Sequence, residues 1–343
     1  MTVLLVIVAV GFAFSMGAHY TGACMGMPHA LGAVTAWQAL AIMAPLAFAG
    51  AALASHGVEH TVGHGLVTGR LTVPAQVIAV GVAFALTTLF NVLRVPTSTI
   101  QILVFTVAGV ALAARTGVQW GTVGILAAVW AAAPPAAALL GFLLTRALDL
   151  VPALRHQPPA REPGPAGTGA PDTAGAGEAV ARTGLWLGTA LAAVGAAASF
   201  TMGANDVANA TGSLVGTGAF TPLAAGTVGG LGLAAGVLTW GRPLLEKVAF
   251  DIVAVDRPMA AAAQLVQALV VLAAVAFGFF TSMNQALVGA MTGAGLARGR
   301  HTVKASSLYG ILRGWAVGPG AGIAAGYLIT LAVGLTGTAL ATP

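Results

Sequence analysis

Long apolar stretches separated by short polar breaks run through almost the whole of this chain. Ten runs can cross, or nearly cross, a hydrocarbon core about 30 Å thick: 2–17, 34–55, 72–93, 98–114, 121–145, 184–202, 222–240, 258–280, 282–297 and 307–335. They are rich in Ala, Gly, Val and Leu, as close helix packing in lipid requires. The pattern predicts an all-α polytopic membrane protein. The runs 98–114 and 282–297 are short and follow their predecessors with almost no loop, so each reads as a broken or re-entrant helix. The stretch 151–183 is different. It is rich in Pro, Gly and Ala, with no apolar period, and cannot bury enough surface to fold. It is expected to be a flexible linker between a first membrane repeat, 1–150, and a second, 184–343.

Composition strengthens the membrane reading. Hydrophobic residues make up 58% of the chain and charged ones 7%, against roughly 25% charged in a soluble domain. The run at 2–17 lacks a basic flank and the chain stays apolar after it, so it reads as a first span and not as a leader. Cys24 is the one cysteine, which excludes an internal disulfide framework and a multi-cysteine metal site. The pI near 10.1 does not point to nucleic acid, because a basic excess in a membrane protein marks cytoplasmic loops. With an outside N-terminus, 12 of the 14 basic residues fall on inside segments: Arg94, Arg146, Arg155, Arg161, Arg182, Arg242, Lys247, Arg257, Arg298, Arg300, Lys304 and Arg313. Arg70 and Arg115 fall outside. The expected product is a multi-pass protein of the plasma membrane, with both termini outside and the linker in the cytoplasm. A homodimer is kept open.

The two halves repeat. "FSMGAHYTGACMGMPHALGA" (14–33) aligns with "FTMGANDVANATGSLVGTGA" (200–219) at seven of twenty positions. "STIQILVFTVAGVALA" (98–113) aligns with "SMNQALVGAMTGAGLA" (282–297) at seven of sixteen. Glu59 falls opposite Glu246, and the three offsets are 186, 184 and 187. An odd number of runs per half turns the second copy upside down. Two inverted repeats of about five segments each, with broken helices and a site at the midplane, are the architecture of secondary transporters.

"GANDVANATGSLVG" (203–216) resembles the signature of the inorganic phosphate transporter family of secondary permeases. "VPTSTIQILV" (95–104) and "TSMNQALVGAMTGAGLARG" (281–299) resemble that family's paired turns before a helix. The resemblance implies inverted repeats, extracellular termini and a large cytoplasmic loop. It also implies ion-coupled import of an inorganic oxyanion, phosphate first, with no cofactor beyond a coupling Na+ or H+. The first copy departs from the pattern: His19 and Tyr20 stand where the family has Asn and Asp, and Gln101 and Gln285 stand where histidine is common. This resembles the family's sulfate-permease branch, so sulfate is the alternative substrate.

The residues support an oxyanion site chemically. Half-helices starting at Ser98 and Ser282 would aim free backbone N–H groups and their dipoles into the bundle. Ser98, Thr99 and Ser282 add hydroxyls, and Gln101, Asn284 and Gln285 add neutral amides that donate without permanent charge. Asp206 lies just past the apolar run ending at 202, where a helix break is expected. With Asn205 and Asn209 it forms the candidate seat of the coupling cation. A carboxylate inside a membrane segment costs about 2.5–3.5 kcal/mol on insertion scales, so it is functional by default. Tyr20 opposite Asp206 implies one carboxylate fewer, hence fewer sodium ions per cycle or protons instead. His19, Glu59 and Glu246 are additional candidates.

Other classes fit less of the chain. "HGVEHTVGH" (56–64) contains His56, Glu59 and His60 in the inverted zinc-protease spacing, with His64 beyond, which would make a zinc-dependent membrane hydrolase. Its repeat partner keeps only the glutamate. A passive channel or receptor on a degenerate scaffold is the third reading. If the basic asymmetry sets orientation, a tag placed within 155–180 is cut by protease only from the cytoplasmic side; cleavage on intact cells would reverse the topology.

Overall fold

The computed structural model describes residues 1–93, 97–154, 176–247, 256–299 and 305–334. Of the basic residues used for orientation, Arg94, Arg155, Arg161, Arg300 and Lys304 lie outside the described residues, as do the side chains of Arg182 and Lys247.

The chain is helical, as the apolar pattern predicts. In the first half the helices are α1 (Thr2–His19), α2 (Thr21–Ala30), α3 (Ala36–Ala54), α4 (His56–His64), α5 (Val73–Leu93), α6 (Thr99–Ala113) and α7 (Trp120–Leu148). In the second half they are α8 (Ala176–Gly216), α9 (Pro222–Trp240), α10 (Arg242–Lys247), α11 (Arg257–Ala276), α12 (Met283–Arg298) and α13 (Ala305–Gly334). Eight segments among the described residues are long and apolar enough to span a membrane, and α6 is a shorter apolar helix. Two boundaries differ from the expectation. The first span runs on through α2 to Ala30, and α8 begins inside the stretch expected to be linker and continues past 202 to Gly216. Asp206 is therefore not at a helix break. Asn205, Asp206 and Asn209 are fully buried on a continuous helix, where neighbouring segments can satisfy their polar groups. The break falls instead in the first copy, between α1 and α2 at Tyr20.

The inverted repeat is visible in the packing. The α1–α2 segment corresponds to α8, α3 to α9, α4 to α10, α5 to α11, α6 to α12 and α7 to α13. The main contacts of one half recur with partners exchanged: α3 packs on α8 as α9 packs on α1, and α7 packs on α12 as α13 packs on α6. Two helix crossings show this at the atomic level. A Cβ on Gly50 would stand 1.9 Å from the Phe200 carbonyl oxygen, and one on Gly236 would stand 1.9 Å from that of Phe14. Both members of the two pairs are separated by the same 186 residues.

Hydrogen bonds and ion pairs define two ends of the bundle. At one, residues 66–68 pair with 117–119, through Thr68 N–H to the Gly117 carbonyl, Gln119 N–H to that of Leu66, and a Val67–Val118 bridge. This is the Arg70 end. At the other, Arg298 bridges Asp149 at 2.9 Å and Asp256 at 3.2 Å, and Arg257 donates to the Leu31 carbonyl. This is the Arg298 end, and α7 runs from one to the other. Burial pushes the Asp256 carboxyl up, while the Met259 N–H and the Arg298 charge pull it down. The α5–α6 hairpin starts and finishes at the Arg70 end; the α11–α12 hairpin starts and finishes at the Arg298 end. Runs 98–114 and 282–297 are thus the returning arms of two re-entrant hairpins that enter from opposite sides.

The glycine crossings are testable. Gly50→Ala should destabilise the protein by about 1–3 kcal/mol or more, because the new methyl meets backbone that cannot swing away. Gly121→Ala, with open space around it, should be neutral or slightly stabilising. Thermal unfolding of the purified variants in detergent distinguishes them; equal melting temperatures would contradict the crossing geometry.

Candidate functional site

The two hairpins meet tip to tip. Ser98 caps α6 by accepting the Gln101 N–H at 3.4 Å, and Ser282 caps α12 by accepting the Gln285 N–H at 3.4 Å. Gln101 Nε2 donates to Gln285 Oε1 at 3.4 Å, and Gln285 Nε2 donates to Gln101 Oε1 at 3.3 Å. This reciprocal amide pair joins the first turns of two half-helices of opposite direction, related by the repeat. The first residues of each helix have no carbonyl four positions back, so the N–H groups of Thr99, Ile100, Met283 and Asn284 lack intrahelical partners. Two helix N-termini, each with partial positive charge, therefore converge in a buried region.

Backbone between helices inside a bundle needs side-chain support. Asn205 supplies it for the second tip: its Nδ2 donates to the Thr281 carbonyl at 2.9 Å, and its Oδ1 accepts the Thr281 N–H at 3.2 Å. In the first tip, Asn284 Nδ2 donates to the Thr97 carbonyl at 2.9 Å and lies 3.2 Å from His19 Nε2. With its proton on Nδ1, the His19 ring donates to Asn91 Oδ1 and accepts from Asn284. Asn91 Nδ2 in turn donates to the Ser15 carbonyl at 2.9 Å. His19 is the counterpart of Asn205, and both stand against their hairpin's threonine.

Asp206 lies beside this junction. Asn205 Nδ2 donates to its Oδ2 at 3.0 Å, and Tyr20 of the first repeat lies near the same carboxylate. The Tyr20 hydroxyl is 2.8 Å from that of Thr99, at the start of α6. Asp206 Oδ1 is buried without a hydrogen-bond partner, as are Thr281 Oγ1, Asn209 Oδ1 and Gln267 Oε1. Gln267 reaches the second hairpin through its Nε2, which donates to the Met283 carbonyl at 3.4 Å. A buried carboxylate oxygen with spare lone pairs suits a hard cation or a proton.

Most of the expected residues are brought together. Ser98, Thr99, Gln101, Ser282, Asn284 and Gln285 line the tip-to-tip junction, and Asn205, Asp206 and His19 support it. Asn209 is set apart: its Nδ2 contacts the Met16 sulfur at 3.9 Å, and it lines a cavity at the Arg70 end with Gln76, Ser213 and Arg70. The two glutamates do not behave as a pair. Glu59 is fully buried and accepts from the Thr211 hydroxyl at 2.7 Å, whereas Glu246 is exposed and pairs with Arg242 on its own helix at 2.9 Å. Glu59 points into the bundle while His60 and His64 stack at 5.2 Å on the exposed side of α4. The zinc-protease spacing therefore finds no converging ligands, and no group of three His, Cys, Asp or Glu suited to a metal occurs among the described residues.

Two supports were not foreseen from sequence. Gln264 of α11 donates to the Cys24 carbonyl, which Pro28 leaves without its helical partner four residues on. Trp130 donates its indole N–H to the Phe280 carbonyl at 3.0 Å. A proline within an apolar helix flags the first; the second has a repeat signal taken up below.

Known proteins share this architecture. The model of the phosphate transporter family matches residues 16–326. A protein of Chlamydia muridarum whose name calls it a phosphate permease is 33% identical over 135 residues, covering 37% of this chain and 32% of that relative. The chloroplastic inorganic phosphate transporter 2-1 of Arabidopsis thaliana is 33% identical over 132 residues, covering 35% of this chain and 22% of the relative. The chain thus matches about a third or less of the length of these curated relatives. A solved structure named "The sodium-dependent phosphate transporter" superposes with a TM-score of 0.82 at 22% identity, over 97% of this chain and 99% of that one. At that identity the likeness establishes the fold.

Removing the Asn205 amide orphans both polar groups of Thr281 and one side of Asp206. Asn205→Ala should cost about 1–3 kcal/mol, the sum expected for buried hydrogen bonds of this kind. Thermal melting in detergent measures it, and a melting temperature equal to wild type would remove Asn205 from the support of the second tip.

Proposed function

The chain belongs to the phosphate transporter family, and we propose that it is a secondary active importer of inorganic phosphate coupled to a cation, sodium first. One observation carries this reading. Two half-helix N-termini from inverted hairpins converge beside a single buried carboxylate, Asp206, that retains an unpartnered oxygen.

The chemistry follows from that arrangement. A phosphate anion entering the bundle must exchange its water for fixed donors. Free N–H groups at the starts of α6 and α12, with the amides of Gln101 and Gln285 turned from each other toward the anion, supply them. These donors are neutral, so binding remains reversible. Asp206 with neighbouring oxygens holds the cation, which offsets the anion's charge in a low-dielectric place. Either ion alone would be poorly compensated there, and this joint requirement couples their movement. The sodium dependence in the solved relative's name is consistent with this choice.

The described conformation favours access from the Arg70 end, where a cavity reaches Asn209, one helical turn from Asp206. At the Arg298 end, the Asp149–Arg298–Asp256 cluster ties α7 to both ends of the second hairpin. By the distribution of basic residues the Arg298 end is cytoplasmic, so this cavity lies on the outer side, in the plasma membrane.

Uptake of labelled phosphate into vesicles under a sodium gradient tests the proposal. Asp206→Asn is expected to abolish accumulation while leaving the protein folded, since Tyr20 occupies the equivalent place in the first repeat and offers no second carboxylate. Full accumulation by this variant would overturn Asp206 as the coupling group. Accumulation driven by a pH gradient without sodium would replace sodium by protons, and stronger competition by sulfate than by phosphate would move the substrate to sulfate. Gln285→Ala should raise the apparent KM about tenfold, as expected for loss of a hydrogen bond to a charged ligand worth about 1.5–3 kcal/mol.

A further inference from the structure

Each half of the chain has a tryptophan four residues before a proline in its last helix: Trp130 before Pro134 in α7, and Trp315 before Pro319 in α13. The two tryptophans, and the two prolines, are 185 apart, within the 184–187 offsets of the other repeated blocks. Proline has no N–H for the carbonyl four residues back, so each helix loses a hydrogen bond at the tryptophan itself. These are the points at which the helices bend most readily.

The two indoles differ in what they hold. Trp130 is buried, and its Nε1 donates to the Phe280 carbonyl at 3.0 Å. Its ring lies 6.4 Å from that of Phe280 and 6.5 Å from that of Phe105 on α6, so it touches both hairpins. Phe280 precedes Thr281, whose N–H and carbonyl are bound by Asn205. Phe280 to Ser282, the approach to the α12 N-terminus, is thus fixed from two sides. Trp315 Nε1 is also buried but has no hydrogen-bond partner among the described residues. A buried indole N–H ordinarily finds one.

We propose that Trp130 is a positioning residue for the anion site, holding the second hairpin's tip through the Phe280 carbonyl, and that Trp130 and Trp315 hold in alternation. The Trp130 bond belongs to the conformation described here. Trp315 makes its bond in the opposite conformation, when the two inverted copies exchange their arrangements. The proposal rests on the alternating-access reading above, but its mark is a conformational equilibrium that can be measured without any substrate.

Ser213, on the cavity at the Arg70 end, provides the reporter. Ser213→Cys in detergent-solubilised full-length protein reacts with a water-soluble thiol reagent when the cavity is open; the native Cys24 is buried and gives the blank. Trp130→Phe keeps an aromatic ring and removes the N–H. One neutral hydrogen bond shifts such an equilibrium by about two- to tenfold. Labelling is therefore expected to slow by that factor in Trp130→Phe, and to quicken in Trp315→Phe. A wild-type rate in Trp130→Phe overturns the proposal, and so does equal slowing in both variants, which marks a general structural role. Size-exclusion profiles establish that the variants are folded. Phosphate uptake by the same proteins tests the transport reading separately: lost transport with opposite labelling shifts preserves the clamp, and intact transport without them removes it.

Discussion

Backbone polar groups inside a bilayer have to be satisfied by the protein itself, and this constraint organises the whole molecule. Two hairpins bring the ends of helices into the interior, where unpaired N–H and carbonyl groups are costly. Each tip is met by side chains from the opposing parts of the fold. Asn205 takes both polar groups of Thr281, Asn284 takes the Thr97 carbonyl, and Trp130 takes that of Phe280. The serine caps satisfy one N–H in each first turn. The N–H groups at the very start of α6 and α12 have no intrahelical carbonyl to bond.

Duplication supplies the geometry, and divergence between the copies supplies direction. The helix crossings at Gly50 and Gly236 are equivalent to the residue, and so are the two glutamine amides at the junction. The polar residues around them are not. His19 faces Asn205, Tyr20 faces Asp206, and exposed Glu246 corresponds to buried Glu59. A symmetric pair of carboxylates would place two like charges close to one another in a low-dielectric interior. Tyr20 instead offers a neutral hydroxyl near Asp206, 2.8 Å from that of Thr99 on the first hairpin.

The remaining charged groups lie where they bind one end of the structure without entering the site. Arg298 draws the two ends of the second hairpin and the end of α7 together through Asp256 and Asp149. These side chains are largely shielded from water, so each charge depends on its partners in the cluster.

The order of apolar runs, the two copies and the short pieces at 98–114 and 282–297 were legible in the sequence, because lipid imposes length and hydrophobicity on every segment independently of its neighbours. The cluster of Asn205, Asp206 and the two serine turns was legible for a related reason: polar groups are too costly in such segments to occur without a role. Three matters were decided only by the tertiary structure. α8 continues through Asp206, whose Oδ2 accepts from Asn205 beside it on the same unbroken helix. Glu59 and Glu246, aligned in sequence, part company because one helix face packs on α8 and the other does not. Trp130 reaches Phe280 across 150 residues of chain. Local composition fixes what a segment can be, but which orphaned backbone group a distant side chain will satisfy depends on where folding brings both, and a linear pattern does not contain that distance.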